Sequence, residues 1–200
     1  MEQSPRLINP VHFTSAALSI DNGDKALICF PGNDNLIARQ CEVFDLFTSA
    51  STHSTSFKHY GGKLGLYNGQ PTTVGSQVEP QDWENRNDWK KVETLTSSGW
   101  MALTDFPRYF RSQSKNKNLL TRITSDHVLI GLPSGSLVLT GGLHPAWTGN
   151  AGNFSFAPSH GIWLLKENDW SRIGTLMKVN LDKIFKSKKI LLRVNTMRLQ

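Results

Sequence analysis

Residues 25–50 read KALICF, PGNDN and LIARQCEVFDLFTSA, and the way this stretch folds governs how the rest of the chain can be arranged. KALICF is a short apolar run with strand character. Pro31 and Gly32 break it, and Asn33, Asp34 and Asn35 offer helix caps. In the segment that follows, Ile37, Cys41 and Phe44 recur at helical spacing with Leu36, Val43 and Phe47 beside them, while Ala38, Glu42 and Asp45 share another face. The spacing predicts one well-formed amphipathic helix over about 34–48, docked on a sheet through its apolar stripe. The free N–H groups of its first turn, with the helix dipole, make a seat for an anion. Asn33 and Asp34 are therefore candidate ligand-binding residues as well as caps.

Working outward, Ala16, Leu18 and Ile20 alternate as in a strand, and Asp21-Asn22-Gly23-Asp24 signals a hairpin turn into KALICF. KHYGGKLGLYNG at 58–69 suggests a hairpin or a loop. The polar stretch from 70 to 88 reads as a long surface connection and as the one lobe boundary in a single domain spanning 1–200. VETLT at 92–96 and LLTRITS at 119–125 have strand character. DHVLIGL at 126–132 reads as a brief helix ending at Pro133. A strand over 136–140 then leads into a glycine-rich loop, GGLHPAWTGNAGNFSFAPSHG, followed by a GIWLL strand, a KENDW turn and alternating residues over 175–181. The expected class is α+β: a mainly antiparallel or mixed β-sheet with that one helix and a few short ones.

At 200 residues with 38% hydrophobic and 19% charged content, the chain can bury one core. No run approaches the roughly 20 apolar residues of a membrane span, so no transmembrane segment is expected. MEQSPRLINP lacks the order of a signal peptide. Cys29 and Cys41 read as buried thiols, and two cysteines set no disulfide framework, which suits a reducing compartment. These features lead to an expected location in a cytoplasm, or delivery into a host cytoplasm. The net charge of +6 is concentrated near one end, where Lys183, Lys186, Lys188, Lys189, Arg193 and Arg198 occur with no acidic residue among them. Such a cluster suits nucleic acid, an acidic membrane surface or a protein partner; lysines guarding an edge strand give the same pattern.

For chemistry, His160 stands at the entry of GIWLL, where it can act as a general base, and Asp169 in the next turn can orient it. ALICFPGND looks like the strand and turn that supply an oxyanion donor in α/β-hydrolases, but the G-x-S-x-G elbow of those enzymes is absent. Arg122, Ser155 and Glu167 resemble, in order, the Arg, Ser and Glu of ADP-ribosyltransferases. The resemblance implies that Arg122 holds dinucleotide phosphates and Glu167 assists attack on the ribose. It departs at the serine motif and lacks the usual Glu-rich turn. His53, His59, His144 and His160 show no metal-binding spacing, so no metal is expected, and no cofactor can be named. Trp147, in HPAWTGN, is a candidate stacking residue.

These residues lead to one expectation: a pocket under the 141–161 loop that takes an anionic ligand of nucleotide or phosphoester type. Arg122, His144, Trp147, Ser155 and His160 would line it, and a transferase or hydrolase would use His160 as acid or base. The rival is a non-enzymatic module of viral, phage or effector type, gripping nucleic acid, membrane or a protein partner with its basic end and exposed tryptophans.

Overall fold

The computed structural model describes residues 7, 15–31, 37–45, 49–75, 90–107, 125–147, 154–158 and 160–176. Within them the chain forms a meander of β1 (Ala16–Ile20), β2 (Lys25–Cys29), β3 (Gln40–Phe44) and β4 (Ser49–Ser54). A second meander follows as β5 (Lys63–Tyr67), β6 (Gln70–Val74), β7 (Val92–Thr96) and β8 (Gly99–Ala102). The third sheet is built from β9 (Ser125–Gly131), β10 (Leu137–Trp147), β12 (Gly161–Lys166) and β13 (Asp169–Thr175). Its long strand β10 also pairs, through its second half, with β11 (Phe154–Pro158). Every pairing is antiparallel.

The α+β class is thus overturned. The described residues are nearly all antiparallel sheet and include no helix of seven or more residues. The helix expected over 34–48 is replaced by a three-residue 3-10 turn at Ile37–Arg39, then β3 and β4. Tertiary pairing decided this: Phe30 N–H donates to the Gln40 carbonyl at 2.8 Å, and Ala26 to Cys29 pair in register with Phe44 to Cys41. The apolar residues of QCEVF satisfy a period of two as well as a helical one, and Val and Phe favour a pleated surface. DHVLIG, expected as a brief helix, is strand β9. QPTTV, expected to open a surface connection, is strand β6, and the front half of the 141–161 loop continues β10. The expected 21–24 turn is present, with β1 and β2 in register from Ala16↔Cys29 to Ile20↔Lys25. The strands expected near 119–124 and 189–194 lie outside the described residues.

Cys29 and Cys41, opposite each other on β2 and β3, are joined in a disulfide with Cα atoms 4.0 Å apart. Both are fully buried, as expected of core residues, but they are not free thiols.

The three sheets stack face to face. Between the first and second, Ala16, Leu27, Cys29, Phe30 and Cys41 meet Leu64 and Leu95. Between the second and third, Tyr67, Val74, Val92 and Phe106 meet Leu137, Leu139, Trp163, Leu165 and Trp170. Phe106 presents its ring edge-on to Trp163 and Trp170, with centroids 5.2 and 4.9 Å away. Polar ties reinforce the second seam: Asn168 N–H donates to the Tyr67 hydroxyl at 2.7 Å, and the Trp170 indole donates to the Thr104 carbonyl at 3.3 Å. Two four-stranded meanders and a third sheet of four strands widened by β11, stacked in this way, resemble the plan of β-propeller blades.

The first strands of the sheets, β5 and β9, come close at Gly65. A Cβ there would lie 2.7 Å from Leu137 Cδ1 and 2.9 Å from Leu129 Cβ, so only glycine permits this spacing. We expect Gly65→Ala to lower stability by about 1–3 kcal/mol, the usual cost of overpacking a core. Urea unfolding reads this directly, and an unchanged midpoint would show that the two strands do not approach so closely.

Candidate functional site

Where β1, β5 and β9 converge, the described residues border an open hollow of about 410 Å³ lined by Ser15, Ala16, Ala17, Lys63, Leu64, His127, Val128 and Leu129. Its position follows from the fold, because the opening residues of three successive first strands meet there. Period two sets which side chains turn inward. His127, Leu129 and Gly131 share the face of β9 that meets the second sheet, with Gly141 and Leu139 opposite them on β10.

His127 is the unusual residue of this hollow. It is 1% exposed, and among the described residues its ring meets no side-chain partner, only the Val74 backbone in a hydrogen bond of poor geometry; the Ser15 hydroxyl is buried and unpartnered. Leaving a buried polar group unsatisfied costs about 1–3 kcal/mol, so the site keeps these atoms at the expense of stability. Burial pushes the His127 imidazole down to about 3; the charges of Lys63 and His59 push the same way, against a weaker opposing effect of the Val74 backbone. His127 is therefore neutral at physiological pH, beside a lysine.

Behind the hollow lies a polar network that is fully satisfied. His59 sits between the Gly75 carbonyl, 2.7 Å from Nδ1, and the Glu93 carboxylate, 2.9 Å from Nε2. The Ser56 and Phe57 amides also donate to Glu93, at 2.9 and 3.1 Å. Burial alone would raise the Glu93 carboxyl, but the hydrogen bond and charge of His59 with the two amides outweigh it and hold the group below its ordinary range. This network pins the 55–62 connection that delivers Lys63 to the hollow.

The residues chosen from sequence fall elsewhere. His160 precedes β12, where its carbonyl accepts from Leu176 N–H at 2.7 Å, while Asp169 opens β13 opposite Lys166. They mark opposite ends of one hairpin, about 20 Å apart along six strand steps, so Asp169 does not orient His160. His144 and Trp147 lie on the second half of β10 and Ser155 on β11. There the backbones of His144 and Ala157, Ala146 and Ser155, and Trp147 and Phe154 are paired. The 141–161 stretch thus brings these three into one hairpin. Glu167 lies in the β12–β13 turn with a side chain 84% exposed. Arg122, Asn33 and Asp34 lie outside the described residues, as does the basic 183–198 cluster. Trp163 and Trp170 are core residues, and Trp100 packs against the first core.

Sequence reasoning missed Ser15, Lys63 and His127. The signal for His127 was available in HVLIG: read with period two, it places His127 on the same face as Leu129. The helical reading scattered them.

No protein-family model matches the chain, and no curated protein matches it. Among solved structures, one titled "Structure of YjhT" is similar, with 11% sequence identity and a TM-score of 0.35 over 82% of this chain and 71% of that one. At that level of overlap the likeness has no bearing on fold or site.

Between pH 6.5 and about 3 the unfolded chain binds a proton at His127 that the folded chain refuses, so this residue makes stability fall as pH falls through that window. The slope contributed approaches about 1.4 kcal/mol per pH unit. His127→Leu is expected to be at least as stable as the parent at pH 7 and to gain on it steadily toward pH 4. Urea unfolding across that range checks this, and parallel pH profiles would show that His127 titrates normally.

Proposed function

We propose that the protein binds a small anionic ligand, of nucleotide or phosphoester type, in the hollow formed by β1, β5 and β9. The observation that carries this reading is the fully buried His127, poorly tied to the Val74 backbone and without a side-chain partner, in a hollow shared with Lys63 and the unpartnered Ser15 hydroxyl. About 410 Å³ is within the range of pockets that hold small molecules. A phosphate or carboxylate would accept from Lys63 and offset the positive charge that faces His127; a small shift of the side chains covering them would bring Ser15 Oγ and the imidazole, both buried, into contact with it. The Lys63 ammonium would repel a cation.

Binding fits these residues better than turnover. Nucleophilic catalysis needs a hydroxyl and a base within hydrogen-bond reach of one another, whereas Ser15 Oγ and the His127 nitrogens make no such bond. As for location, no helix among the described residues is long and apolar enough to cross a membrane. The Cys29–Cys41 disulfide favours an oxidising compartment over the reducing cytoplasm expected from two free thiols.

An anion seated against His127 raises its affinity for protons, so binding should take up a proton and tighten as pH falls from 7 toward 5. Inorganic phosphate and a nucleoside monophosphate are suitable probes, followed by calorimetry and by the His127 imidazole resonances. Saturable binding should weaken at least tenfold in Lys63→Ala. Resonances that stay fixed at millimolar concentrations of both probes would defeat the proposal.

A further inference from the structure

Each internal seam repeats one rule: a sheet turns an apolar face to its neighbour. The third sheet carries a second such face, on the side away from the second sheet. Alternation places Val128 and Ile130 of β9, Val138 of β10, and Ile162 and Leu164 of β12 there, register partners Ile130↔Val138↔Leu164 running straight across it. Val128 and Ile130 are 52% and 46% exposed. The outer face of the first sheet is its counterpart. It presents the small residues Ala17, Ser19 and Ala26 beside Ile28 and Phe44, with the carboxylate of Glu42 buried next to Ile28. A hollow of about 330 Å³ opens on that side, bordered by Ala17, Ser19, Ala26 and Phe44 and rimmed at the β1–β2 turn by Asp24 and Lys25.

We infer that a second copy of this chain covers both faces, the outer face of each third sheet seating on the outer face of the partner's first sheet. Three features select this occupant. The contact continues the sheet-on-sheet stacking that already joins the three sheets, so it needs no new kind of packing. Bulky branched residues on one face meet small residues around a hollow on the other. Made twice, this head-to-tail contact closes with two-fold symmetry and leaves neither face in water, in a ring of six sheets, within the usual range for propellers. Closure would also wall the open side of the hollow at Ser15, Lys63 and His127 with the first strands of the partner. The inference stands on the packing alone and does not require the ligand reading.

The full chain should sediment at twice its 22.4 kDa mass. Ile130→Glu and Ala17→Glu, both at exposed positions and so compatible with folding, should each sediment as monomers with unchanged far-ultraviolet circular dichroism. Mixing the two variants restores one undamaged contact, between the third sheet of the Ala17→Glu chain and the first sheet of the Ile130→Glu chain. A dimer should reappear in the mixture, dissociating at least tenfold more readily than the parent. A monomeric parent, as when residues 177–200 of the same chain cover the face, overturns the inference. So does either variant remaining dimeric alone, or a mixture that stays monomeric.

Discussion

A sheet that is apolar on both faces cannot stand alone in water, and the second sheet of this protein is such a sheet. Leu64 and Leu95 point to one side, Tyr67, Val74 and Val92 to the other, and burial of each side demands a neighbouring sheet. Most two-layer proteins need only one buried face per sheet; here the middle sheet forces a third layer. The stacking then fixes where β1, β5 and β9 lie relative to one another. Gly65 sets the distance, because at that point the side chains of Leu129 and Leu137 occupy the place a Cβ would take.

How much of this was legible in the sequence depended on the length of each apolar run. Turns were readable, since Asp21-Asn22-Gly23-Asp24 and Lys166-Glu167-Asn168-Asp169 bring their own chemistry; Asn22, Glu167 and Asn168 indeed adopt positive φ. The GIWLL and VETLT strands were readable for the same reason that their burial alternates or is continuous. QCEVF and HVLIG were not, because five-residue runs satisfy helical and strand periods equally well. The arbiter is the partner strand across the sheet, which one sequence does not display. The site was lost with them. His127 becomes a feature only once β9 is a strand facing the second sheet, and Lys63 and Ser15 join it through contacts far apart in the chain.

Two buried histidines near one hollow face opposite circumstances. His59 has an acceptor at each ring nitrogen, and Glu93 has three donors, so the desolvation of that pair is repaid by hydrogen bonds and the network acts as a strut. His127, close enough to feel the charge of His59, has only a poorly formed hydrogen bond to the Val74 backbone and no side-chain partner. A fold able to satisfy one imidazole so completely does not lack the means to satisfy another, and this contrast is what separates a structural residue from a candidate site.

The electrostatics of the hollow then constrain what could complete it. Lys63 and His59 both disfavour a proton on His127, which means that the potential at the imidazole is positive. Water could bridge one nitrogen but would leave that potential unchanged. An apolar guest would leave Ser15 Oγ and both nitrogens as costly as before, and a cation would add a third like charge. An anion relieves the repulsion and supplies acceptors together, so the charges that add to burial in depressing the His127 pKa are the ones that would hold the ligand we propose.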